Sequence, residues 1–223
     1  MDITQTIALT MGVAWASGIN LYAAILMLGY MGASGNIDLP PDLQVLSDPM
    51  VMVAAGVMYG IEFFADKVPG VDTGWDAIST FIRIPAGAIL AAGAVGDVGS
   101  GAQLAAAIAG GTLATGSHVT KTGTRVLINT SPEPVTNWFA SVGEDVAVIA
   151  GLWTALYHPA LFIVLLVLFI LLSIWLLPKI WRGIKRVFGF LGRMLGNSKS
   201  AEPPVKSIAD DPINAESITQ KKP

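Results

Sequence analysis

Six ionisable side chains, Glu62, Asp66, Lys67, Asp72, Asp76 and Arg83, fall within residues 62–83, between two apolar runs. Charge beside hydrocarbon is costly, so such groups persist where they meet partners, ions or solute. Glu62 and Asp66 stand four residues apart and repel each other on a helix. They call for a cation, a proton or a basic partner. Lys67 and Arg83 are the nearest bases in sequence and Arg125 a more distant one. Three readings stay open: an ion-pair network that fixes a turn, a cation or proton path, and a basic-flanked anion site. Asp72 and Asp76, also four apart, have the oxygen chemistry of a divalent-cation site. The Asp-Gly and Ala-Arg companions of a membrane phosphotransferase are missing, however, so a metal-dependent lipid-headgroup enzyme is the weakest reading. A non-enzyme without cofactor is expected, and any metal is unassigned.

Asn20, in Ser17-Gly18-Ile19-Asn20, and His118, in Thr115-Gly116-Ser117-His118, are the other candidates, each where polar residues interrupt an apolar run. The plainer alternative is that Gly18 and Gly116 permit close helix packing. Glu144-Asp145 reads as the negatively charged start of a helix, where the dipole favours acids.

The elements that carry these residues are membrane-like. Of 223 residues, 53% are hydrophobic and 13% charged, with a mean hydropathy of +0.62. A soluble domain carries about 25% charged residues. There is no Cys, which excludes disulfides and thiolate chemistry, and the start lacks the basic region of a cleaved signal, so the first helix is expected to stay. Six spans are expected over residues 3–31, 50–64, 84–95, 103–119, 138–157 and 160–177, the last uncharged over 18 residues. Residues 72–84 read as an amphipathic segment, interfacial or re-entrant, before a third span that begins near Pro85. The fold class is an all-α polytopic bundle in a transmembrane domain, 1–178.

Lys179, Arg182, Lys185, Arg186 and Arg193 alternate with apolar residues over 179–196, the pattern of a basic amphipathic helix on an anionic leaflet. Residues 197–223 have the composition of a disordered tail. All 13 Lys and Arg fall at 67–83, 121–125 and beyond 178. With six spans those places share one side, and the positive-inside rule makes it cytoplasmic with both termini inside. Nothing resembles a nucleic-acid face. The expected partners are the bilayer, anionic lipid and, through small-residue faces, a second copy.

The halves 3–97 and 101–178 align weakly. Ala16-Ser17-Gly18 meets Ala114-Thr115-Gly116, and Asn20 meets His118. A true repeat of three spans is inverted, a transporter and channel architecture with its site at matched helix breaks.

Ala16-Ser17-Gly18-Ile19-Asn20-Leu21-Tyr22, Glu62-Phe63-Phe64-Ala65-Asp66-Lys67-Val68-Pro69-Gly70-Val71-Asp72, Trp75-Asp76, Asn129-Thr130-Ser131-Pro132-Glu133-Pro134 and Glu144-Asp145 resemble the bacterial membrane proteins grouped as domain of unknown function family 4126, over residues 15–159. The resemblance implies a bacterial integral membrane protein and brings no activity or catalytic residue. The leading expectation is a small inner-membrane transporter or channel. Its path would use Asn20, His118, Glu62, Asp66, Asp72 and Asp76, with Lys67, Arg83 and Arg125 as charge partners. The alternative is a non-transporting scaffold or lipid-interaction protein that acts through 179–196.

Overall fold

A computed structural model describes residues 1–68, 70–129 and 134–196, with backbone alone at 134, 187, 188 and 190–196. The expected tail, 197–223, and the Arg193 side chain lie outside what is described, as do Pro69 and residues 130–133. The chain divides into two units, Met1–Lys185 and Arg186–Pro223. The described part of the second, 186–196, is helical.

Helices dominate, and no strand occurs among the described residues. They are α1 (Ile3–Ala33), α2 (Pro49–Ala65), α3 (Val71–Val95), α4 (Ser100–Ile128), α5 (Pro134–Tyr157) and α6 (Pro159–Gly196), with a 3-10 stretch at Pro41–Ser47. Starts follow local chemistry. Asp2 caps α1 by accepting the Gln5 N–H at 2.7 Å while the Gln5 side chain accepts the Asp2 N–H at 2.9 Å. Asp48 caps α2 through the Met50 N–H at 2.7 Å, with Pro49 in the first turn where no donor is lost.

By length and composition α1, α3, α5 and α6 can each cross a membrane, and a fifth span arises if Pro41–Ser47 and Pro49–Ala65, bent by 66°, count as one. The outward faces are apolar: Ile78, Phe81, Leu104, Ile108, Leu168 and Leu171 are all exposed. A face of that kind suits lipid, not water.

The expected break in α1 is present. Asn20 alone leaves helical geometry, at φ −146° and ψ 95°. It reverses the chain. Along the first arm, Gly12 packs on Ala155 and Gly18 on Ala114 and Ser117. Along the second, Gly56 of α2 faces Leu26 and Gly29 packs on Leu46 and Met52. Asp42 and Leu43, just before Leu46, rest on Gly93, near the end of α3. Ala33 therefore returns to the end of the bundle from which Ile3 starts, and Met1, Asp38 and Val95 line one cavity there. A straight 31-residue helix would set Ile3 and Ala33 about 46 Å apart.

Three expectations change. First, α1 is not one straight rod but a helical hairpin that turns at Asn20. The termini of the first unit consequently lie at opposite ends of the bundle, since α6 runs from Phe162 beside Gly12 to Gly183 beside Leu127. Second, residues 72–84 belong to an unbroken helix continuing through Pro85 to Val95. The polar stripe of that segment has buried partners. Third, α4 runs unbroken through Thr115–His118, so the two halves do not share the interruption that an inverted repeat would match.

Candidate functional site

Three helices turn a polar stripe inward. Asp72, Asp76, Ser79 and Arg83 recur along one face of α3, and none is more than 2% exposed. His118, Lys121 and Arg125 do the same on α4, and Glu62 on α2 with Asp66 at its end. Trp75, Ile78, Phe81 and Ile82 take the remaining faces of α3.

The stripes meet in one network. Arg83 Nη2 lies 2.6 Å from Glu62 Oε1 and Nη1 lies 3.0 Å from Asp76 Oδ1. Lys121 Nζ is central, 3.0 Å from Asp66 Oδ2, 3.4 Å from Glu62 Oε1 and 3.5 Å from both Asp76 Oδ1 and Glu144 Oε2. Arg125 grips Glu144 with Nε and Nη2, at 3.1 and 2.7 Å. Its Nη1 donates to the Asp66 carbonyl at 3.0 Å and to Asn137 Oδ1 at 2.5 Å. Such two-pronged charged bonds are the strong and directional kind.

The α1 break is stitched to this network. Breaking a helix frees carbonyls at one arm's end and amides at the other's start. The Ile19 carbonyl accepts from Lys121 Nζ at 3.1 Å, and the Gly18 carbonyl faces His118 Nδ1 at 3.2 Å. His118 Nε2 meets the Thr80 hydroxyl at 2.6 Å. Thr80 Oγ1 also donates to the Asp76 carbonyl at 2.9 Å, which links the ring to the α3 backbone. Asn20 caps the second arm, its Oδ1 accepting the Ala23 N–H at 2.9 Å, while its Nδ2 donates to Asp145 Oδ1 at 2.8 Å. Tyr59 donates to the other Asp145 oxygen at 3.1 Å. Thr80 stands nine residues after the start of α3, so the tip of the hairpin is roughly 13 Å inside the bundle.

The structure brings together Glu62, Asp66, Asp76, Arg83 and Arg125 as a cluster and sets Asn20 and His118 on its edge. It separates Asp72 and Lys67. Asp72 accepts from Asn129 Nδ2 at 2.8 and 2.9 Å and from the Gly70 and Thr73 amides, which ties the start of α3 to the end of α4. Asp76 turns instead to Arg83, and no three Asp, Glu or His converge as metal ligands among the described residues. Lys67 is not the acids' partner. Its Nζ lies 2.9 Å from the Phe63 ring centroid and donates to the Phe63 carbonyl at 3.0 Å. Burial lowers its pKa below the ordinary lysine value, against the opposing pull of Asp145 and Asp66. Glu144 and Asp145 do not start a helix, since α5 begins ten residues earlier at Pro134.

Sequence reasoning missed Lys121, the centre of the network. Its available signal was its place on the His118–Arg125 face of α4.

Three carboxylate oxygens in the cluster, Glu62 Oε2, Asp66 Oδ1 and Asp76 Oδ2, are buried without a hydrogen-bond partner among the described residues. At the other end of the bundle lies an open, largely apolar cavity of about 820 Å³, walled by Met1, Thr6, Leu39, Ala94 and Ala106. Thr10 also lines it, its hydroxyl without a hydrogen-bond partner among the described residues.

A family model described as a domain of unknown function (DUF4126) matches residues 7–179. No curated protein and no solved structure matches the chain.

Proposed function

The chain belongs to the DUF4126 family, and we propose that it is an integral membrane transporter or channel for an ion or small solute. The observation that carries this reading is a buried ionic cluster meeting a helix broken inside an otherwise apolar bundle. Ionisable groups and discontinuous helices at membrane depth are costly and mark binding sites and pathways. The path runs from the cavity at the Met1 end, past Thr10 and Ser17, to Asn20 and His118, and on to the carboxylates of Glu62, Asp66 and Asp76. Arg83, Lys121 and Arg125 hold those carboxylates in register. Asp72 fixes the α3–α4 junction beside the path. The protein acts without enzymatic turnover or cofactor.

The described basic side chains gather toward one end of the first unit, with Asp2, Asp38, Asp42, Asp48 and Asp97 toward the other. The positive-inside rule then favours a basic cytoplasmic end, with Met1 on the opposite side, in a bacterial inner membrane. The deciding experiment is flux of protons, monovalent and divalent cations across liposomes that hold the purified protein, beside Glu62→Gln/Asp66→Asn. Flux lost in the double variant supports the reading. Equal flux in a folded double variant overturns the site, and no flux overturns transport.

One observation favours a lipid-interaction role. On α6, Lys179 Nζ lies 2.8 Å from the Trp175 ring centroid and Lys185 Nζ 5.2 Å from the Trp181 ring. Exposed Trp beside Lys suits the headgroup layer. Arg182, Arg186 and Arg193 extend the same basic run. Retained flux after truncation before Lys179 separates the two roles.

A further inference from the structure

We infer that the ionic cluster holds one exchangeable proton, carried by the Glu62–Asp76 pair around Arg83, and that the proton is the ion coupled to transport. This rests on the transport reading above.

Glu62, Asp66, Asp76 and Glu144 are the four carboxylates of the network, and Arg83, Lys121 and Arg125 its three cations. Four against three leaves one negative charge in excess. The surroundings do not cancel it. Asp145 faces Asn20 and Tyr59, and Lys67, which forms no ion pair within 4 Å among the described residues, acts on both Asp145 and Asp66 from a distance. Asp72 is held by the Gly70 and Thr73 amides, the Thr73 hydroxyl and Asn129, none of them charged. Tyr22 faces the cluster from α1 and His118 from α4, and the latter is already engaged by Gly18 and Thr80. An uncompensated buried charge binds a counter-ion or takes up a proton.

Atom placement says where. Glu62 and Asp76 are both fully buried, each gives one oxygen to Arg83, and each leaves the other oxygen without a partner. The two carboxyls share one guanidinium and one ammonium, so a proton held there serves both and belongs to the pair, not to one residue. A metal ion fits less well. Lys121 and Arg83 fill the space between the carboxylates, and no three of them converge. A proton needs no cavity.

The test reads the proton apart from flux. Infrared difference spectra of the full chain in liposomes, recorded across a pH titration, should show the carbonyl stretch of one protonated carboxyl per chain at neutral pH. It should fade as pH rises and vanish in Glu62→Gln/Asp76→Asn. Glu144→Gln, at the solvent-accessible edge, removes the excess charge another way and should also shift that band's titration to lower pH. If the wild-type chain shows no such band at neutral pH, or one that does not titrate, the inference fails whatever the flux assay reports. The measurement needs no variant to fold. A carboxylate-dependent flux of sodium or potassium without the band would leave transport standing and overturn the proton.

Discussion

Asn20 and Asp145, 125 residues apart, are joined by a 2.8 Å hydrogen bond at the one residue where α1 abandons helical geometry. The same amide caps the returning arm through the Ala23 N–H. A single side chain thus both permits the reversal and anchors it.

Asn20→Ala should therefore cost about 2–4 kcal/mol, the sum of a lost cap, about 1, and an orphaned Asp145 oxygen, about 1–3. Asn20→Asp keeps the cap but sets a carboxylate against Asp145, and should be no better. Equilibrium unfolding in detergent measures both. Wild-type stability in Asn20→Ala would show that the reversal is held by packing alone.

The two lysines near the acids should behave oppositely. Lys121→Met leaves four carboxylates with two cations and should destabilise by about 3–5 kcal/mol. Lys67→Met, which swaps an amine over an aromatic ring for an apolar chain, should cost about 1 kcal/mol or less. Adding Glu62→Gln to Lys121→Met should recover part of the loss, because the two share a contact. Additive losses would mean that their 3.4 Å approach carries no coupling.

The two glycines aligned in the sequence should also part company. A Cβ on Gly18 would strike the Ala114 carbonyl and the Ser117 hydroxyl, while one on Gly116 meets nothing within 4 Å. Gly18→Ala should cost about 1–3 kcal/mol through forced separation of α1 and α4. Gly116→Ala should be neutral or stabilise by up to about 1 kcal/mol as a better helix former. Thermal melts of the two variants decide it, and equal melting points would contradict the close approach.

Replacing Lys179, Arg182 and Lys185 with Gln should weaken retention of anionic lipid by on the order of 1 kcal/mol per residue. Phosphatidylglycerol copurifying with the protein, measured by mass spectrometry, reads this out. Flux through the bundle should stay unchanged. Lost flux with unchanged lipid content would place the basic helix inside the transport mechanism.

The sequence announced the helices and the break, because both are written locally. Apolar runs end at Pro and Gly, and Ser17-Gly18-Ile19-Asn20 interrupts its run with small and capping side chains. It also announced the buried stripe of α3, since 72, 76, 79 and 83 follow the helical period. It did not announce Lys121, whose partners Glu62 and Asp66 come 59 and 55 residues earlier. No local pattern encodes such a meeting. Lys67, beside the acids in sequence, attracted the assignment that belonged to Lys121. The direction of α1 after Asn20 was equally hidden, because a capping residue marks a break but not the angle at which the chain resumes. With Glu144-Asp145, an acidic pair drew attention from Pro134, whose place at a first helical turn was the better marker of where α5 starts.

The hairpin of α1 reverses the order in which the molecule can be finished. Its tip carries freed carbonyls and a capping amide that hydrocarbon cannot satisfy. Their partners, His118, Lys121 and Asp145, come 100 to 125 residues later in the chain. The turn of α1 is therefore complete only once α4 and α5 are in place to receive it.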